Sequence, residues 1–113
     1  MTLYDRGKPN AFGYRDIDCA EVARAVGSVR IIDVREPSEF DGPLGHVPTA
    51  ELVPLGTVLD LAKKWNREAE LVVVCRSGAR SGGVAANLSR LGFKLVMNMT
   101  GGMLAFRAGN PLP

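Results

Sequence analysis

The chain has 113 residues, 46% of them hydrophobic and 23% charged, which fits one self-folding domain and leaves no room for a second. Fourteen Lys and Arg against 12 Asp and Glu leave a formal charge of +2 with no basic block, so a polyanion such as nucleic acid is not an expected partner. The longest apolar run, Leu71 to Cys75, falls far short of the roughly 18 residues of a membrane span. The opening MTLYDRGKPNAFGYR lacks the apolar core of a secretory signal, and the expectation is a cytoplasmic protein. Residues 1–113 are expected to form a single domain, with 1–13 as an N-terminal extension and 110–113 as a C-terminal tail.

Taken in order, β-branched runs alternate with helical periodicity, the pattern of an α/β fold with a mostly parallel sheet. Asp18 is a good N-cap with Glu21 three residues on, and Ile17 and Val22 can staple the turn, so a helix is predicted over about 18–26 with Gly27 as its stop. VRIIDV (Val29 to Val34) reads as a central strand. Pro37 and Ser38 can start a one-turn helix around Phe40. The glycines and prolines between Asp41 and Pro54 predict an irregular connection with at most a short strand near Ala50 to Val53. Val58, Leu59, Leu61, Ala62 and Trp65 share one helical face. ELVVVC (Glu70 to Cys75) is the clearest buried strand. A helix from near Arg80 carries Val84, Ala85, Leu88 and Leu91 toward a stop at Gly92. Phe93 to Met99 makes a last strand, Gly101 and Gly102 a turn, and Met103 to Ala108 a closing helix. The whole predicts three α/β/α layers.

Ligands of open α/β sheets bind beyond the carboxyl ends of the strands, where the sequence CRSGARS falls. Cys75 would end a buried strand, facing a loop of convergent backbone N–H groups and the positive end of the next helix. Arg76 and Arg80 add cationic charge. Each of these favours thiolate over thiol, so Cys75 is predicted to be nucleophilic at neutral pH. Placement as a small buried hydrophobe is the alternative for a strand-terminal Cys, but packing needs neither Gly78 nor two nearby arginines.

Cys19, in a first helical turn without an adjacent cation, reads as filler. Two cysteines and the single histidine, His46, cannot make a four-ligand zinc site, and no metal or cofactor is expected. His46 is read as shaping its connection through a ring hydrogen bond, since a low-pKa thiolate needs no base. In the charged cluster Asp33, Arg35, Glu36 and Glu39, Asp33 could receive N–H groups from the active loop and Arg35 could pair with Glu39. A structural ion-pair network is the competing reading.

Together these residues resemble the rhodanese domain, specifically a single-domain sulfurtransferase. The resemblance rests on IDCAEVARAV, IIDVREPSEF, GHVPTA, the loop CRSGARS after VVVC, the LGF turn and the closing GGM, in that order. It implies a five-stranded parallel sheet flanked by helices and chemistry through a cysteine persulfide. Cys75 would carry sulfur. Arg76, Ser77, Gly78, Ala79 and Ser81 would bind substrate around it, and Arg80 would join Cys75 in catalysis, the arginines holding the donor and the charge on its leaving group. Donor and acceptor would be a small anion such as thiosulfate, or a protein persulfide, and a thiol or cyanide.

Three departures stand out. Thr49 replaces the usual Gly after His-x-Pro, so that turn is expected to distort; Phe106 replaces a common Trp; and Gly42, Pro43 and Leu44 lengthen the connection beside the site. Two other readings compete. A related branch of protein phosphatases also uses a loop Cys and Arg, but with one residue more between them than the four separating Cys75 from Arg80. A non-catalytic binding module is the second, although inactive relatives typically lose the loop Cys.

Overall fold

The computed structural model describes residues 1–112. A six-stranded sheet runs in the order β1 (Lys8–Pro9), β2 (Arg15–Ile17), β6 (Leu95–Met99), β5 (Glu70–Val74), β3 (Arg30–Asp33), β4 (Glu51–Leu52). All pairs are parallel except β1 with β2. The expected five-stranded parallel sheet is therefore present, with one correction. A sixth, antiparallel edge strand comes from residues 1–13, expected only as an extension. Two residues carry no periodicity, and Pro9 lacks a ladder donor, so nothing in the sequence marks this strand; Pro is tolerated there because the edge needs no further partner. Leu3 from the same segment is buried, and the Tyr4 amide donates to Glu70 at 2.7 Å.

Side-chain alternation along β5 builds the layers. Leu71, Val73 and Cys75 join a core with Val58 and Ala62 of α3 (Val58–Ala62) and Val84, Ala85 and Leu88 of α4 (Ala79–Arg90). Val72 and Val74 point the other way, toward Val22 of α1 (Cys19–Arg24) and Met103 and Phe106 of α5 (Gly102–Gly109). The β-branched run is buried on both faces, as a central parallel strand requires.

Local signals act largely as their chemistry dictates. The Asp18 carboxylate accepts from the Glu21 amide at 2.8 Å; the reciprocal half of the box is replaced by an ion pair from Glu21 to Arg24, also 2.8 Å. The helix α1 ends at Arg24, two residues before the prediction. The helix α3 is shorter than its apolar pattern, because Trp65 leaves it to stack under the Arg30 guanidinium (4.2 Å) and edge-on to Phe93. Thr49 corrects the expectation of a distorted turn: it takes φ 69°, keeping the left-handed backbone that suits glycine and bearing the strain of a β-branched side chain there.

Candidate active site

The strand β5 delivers Cys75 to the sheet's carboxyl edge, and the chain then turns through Arg76, Ser77 and Gly78 into α4. Gly78 makes that turn with φ +100°, and a Cβ on it would lie 3.3 Å from the Gly101 amide nitrogen. Only glycine suits both conditions. In this conformation the Gly78 N–H donates to Cys75 Sγ at 3.1 Å. The loop is braced from below by α5: Met103 N–H donates to the Cys75 carbonyl at 2.9 Å and Leu104 N–H to that of Arg76 at 3.0 Å. A Cβ on Gly102 would collide with both carbonyls, so the glycine pair predicted as a turn also permits this close approach.

Cys75 is completely buried. Burial raises its pKa, but the Ser81 hydroxyl and the amides of Ser81, Gly78 and Ser77 oppose that and leave it below the ordinary thiol value. Ser81 Oγ, also buried, lies 3.2 Å from Sγ and 2.6 Å from Asn98 Oδ1. The structure thus gathers Cys75, Gly78 and Ser81 around one sulfur, while Arg76, Ser77 and Ala79 are exposed along the loop rim.

The arginines sit differently from expectation. Arg80 makes a two-pronged ion pair with Glu39 of α2 (Pro37–Phe40), both contacts 2.9 Å. That guanidinium, with further help from the Glu36 amide, pulls the Glu39 carboxyl down to about 2. Arg80 is therefore charge-compensated at neutral pH. Arg35 does not pair with the Glu39 carboxylate; its guanidinium closes on the buried Asp33 carboxylate (2.8 Å) and donates to the Glu39 and Gly45 carbonyls at 3.1 and 2.7 Å. Asp33 is occupied by its own neighbour and takes no N–H from the Cys75 loop, so the structural reading of that cluster holds. Arg76 has no ion-pair partner among the described residues.

Arg76, Arg35 and Glu39, with Pro43 and Leu44 from the lengthened connection, line a pocket of about 260 Å³ beside the loop. His46 bonds the Phe40 carbonyl at 3.0 Å through Nδ1 and stacks on the Phe40 ring at 3.7 Å, shaping the connection as expected. Cys19 is half-buried, and its thiol donates toward the Thr100 and Gly102 carbonyls at 3.5 and 3.7 Å. Burial, then the Asp18 charge, push its pKa up.

Sequence reasoning misses two members of this constellation. It assigns Glu39 to Arg35 rather than to Arg80, 41 positions away. It reads Asn98 only as part of a strand; a polar residue amid the apolar run LVMNM is the available signal.

Residues 18–109 match the family model for the rhodanese-like domain. The chain is 38% identical to the putative sulfur carrier protein YrkF of Bacillus subtilis over 67% of its own length, spanning 40% of that protein. It is 30% identical to the thiosulfate sulfurtransferase GlpE of Pseudoalteromonas translucida, covering 71% of this chain and 74% of that one. The crystal structure of a rhodanese-like domain protein from Staphylococcus aureus superimposes with a TM-score of 0.71 at 31% identity, over 80% of this chain and 89% of that one. Motif order, sheet topology and family model agree, and the chain belongs to the rhodanese-like domain family.

Proposed function

We propose that the protein is a sulfurtransferase that carries sulfane sulfur on Cys75, with thiosulfate or a persulfide as donor and a thiol or cyanide as acceptor. The observation that supports this most directly is the sulfur of Cys75 at a strand end, 3.1 Å from the Gly78 amide and faced by the Ser81 hydroxyl. An N–H fixed against a sulfur by the backbone, as at Gly78, favours its anionic form and costs no reorganisation when charge develops there.

In the first half-reaction the Cys75 thiolate attacks the outer sulfur of thiosulfate. A Cys75 S–S bond forms, the donor's S–S bond breaks, and sulfite leaves with the electron pair. The outer sulfur of the resulting persulfide is anionic, and the loop amides serve it as they served the thiolate. An acceptor thiolate or cyanide then attacks that outer sulfur, and the Cys75 thiolate departs. Arg76 attracts the dianionic donor to the loop rim, and the Arg80–Glu39 pair fixes the wall beside it. The reaction suits a reducing compartment such as the cytoplasm, where Cys75 remains free.

Incubation with thiosulfate followed by intact-mass measurement tests the reading. One added sulfur is expected, lost on adding cyanide with formation of thiocyanate, and absent in Cys75→Ser. No adduct on a thiol that iodoacetamide still alkylates would assign the domain to binding rather than catalysis.

A further inference from the structure

Asn98 stands on the face of β6 that meets α4, almost fully buried. Its amide is held at both ends. Nδ2 donates to the Gly78 carbonyl at 3.1 Å, and Oδ1 lies 2.6 Å from Ser81 Oγ. The contact to Gly78 fixes the amide's orientation, because a turned amide would set two carbonyl oxygens against each other. With Oδ1 facing Ser81, two oxygens at 2.6 Å must share a proton, and only the serine has one to give.

A hydroxyl carries a single proton. Ser81 Oγ also lies 3.2 Å from Cys75 Sγ and 3.3 Å from the Gly78 carbonyl. It cannot donate to Asn98 and to the sulfur together. While Asn98 holds the proton, Ser81 can only accept from a protonated Cys75. Once Cys75 is anionic, the hydroxyl serves it by turning away from Asn98, which leaves the buried Oδ1 without that partner. We propose that Asn98 is a positioning residue that holds the Ser81 proton away from Cys75 in the resting thiol and gives it up when the sulfur becomes anionic. It thereby sets how readily the sulfur ionises, and it keeps the hydroxyl in reserve for the charged species, thiolate or persulfide. The inference deepens the sulfur-carrier reading and rests on it for its purpose, while its test requires no sulfur transfer.

Other titratable groups lie on the elements around the loop. The Asp33–Arg35 pair lies at the end of β3, Glu39 on α2, Arg76 in the loop and Arg80 on α4. Tyr14 reaches alongside Gly82, and Cys19 lies beyond Gly102. All are unchanged in a double-mutant cycle between Asn98 and Ser81, so their fields cancel.

The experiment measures the iodoacetamide alkylation rate of Cys75 against pH in a Cys19→Ser background, for the parent, Asn98→Leu, Ser81→Ala and the double variant. Leu keeps the branched shape of Asn and excludes water; Asn98→Ala takes its place if the Leu variant does not fold. Loss of the Gly78 anchor affects both backgrounds alike, whereas release of the hydroxyl occurs only where Ser81 is present. The shift in alkylation midpoint on replacing Asn98 is expected to be about half to one pH unit more negative with Ser81 in place than in the Ser81→Ala background, roughly a three- to tenfold difference in rate at pH 7. Equal shifts in the two backgrounds, or a more positive one with Ser81, would overturn the proposal. Failure of the thiosulfate adduct with an intact coupling would instead overturn sulfur transfer alone.

Discussion

The two cysteines make a controlled comparison within one molecule. Cys75 is wholly buried and Cys19 only partly, and burial pushes both thiols up. Exposure alone would make Cys19 the more acidic. The opposite holds, because the sulfurs face different partners. Around Cys75 are N–H groups and a hydroxyl; beside Cys19 are two carbonyls, which only a protonated thiol can address, and the Asp18 carboxylate. What distinguishes the two thiols is the polarity of the groups nearest each sulfur, and that polarity follows from where each residue falls: one past a strand end at a left-handed turn, the other inside a first helical turn.

The largest way to break the contrast is to spoil that turn. Gly78→Ala places a Cβ at φ +100° and 3.3 Å from the Gly101 nitrogen. A cost of about 1–3 kcal/mol in stability is expected, readable by denaturant unfolding. Displacing the amide removes a hydrogen bond to a charged sulfur, and Cys75 alkylation at pH 7 should fall at least about tenfold, toward the rate of Cys19. An unaltered Cys75 rate in a folded variant would show that the amide does not hold the thiolate.

How far the sequence makes this legible depends on the range of the interaction. The strand ELVVVC, the glycine turn and α4 follow one another along the chain, and local pattern finds all three. The edge strand β1 escapes it, since two residues have no period to detect, and β2 offers only Ile17 as a buried position. Arg80 to Glu39 and Ser81 to Asn98 join elements that only the sheet order brings together, since β6 and β3 flank β5 on opposite sides. Counting cations near Cys75 therefore leaves out the groups nearest its sulfur: the donors there are neutral, and one of the two arginines is already engaged by a carboxylate.

A medium effect separates those arginines. Removing Arg76 deletes an unpaired charge, whereas Arg80→Ala together with Glu39→Ala deletes a pair and leaves the net charge unchanged. Arg76→Ala should raise the KM for thiosulfate roughly three- to tenfold, an effect that shrinks as salt is added, with the Cys75 alkylation profile little moved. The double variant should raise it less. The reverse order in steady-state kinetics would restore Arg80 as the donor-binding cation. Glu39, held at about 2, stays ionised down to strongly acidic pH, so this order should persist from about pH 5 to about pH 9.

The smallest effect comes from the other cysteine. Burial is the main reason Cys19 resists ionisation, and the Asp18 charge adds to it. Asp18→Asn removes that charge while keeping a side-chain oxygen to accept from the Glu21 amide, and Asn caps helices about as well as Asp. Stability should change little. In a Cys75→Ser background, Cys19 alkylation at about pH 8 should rise about twofold, as expected for one partly screened charge at short range. The carbonyls of Thr100 and Gly102 remain in place, so the rate should still stay well below that of Cys75. Were Asp18→Asn to bring the two cysteines level, the difference between them would lie in that single carboxylate rather than in which backbone groups face each sulfur.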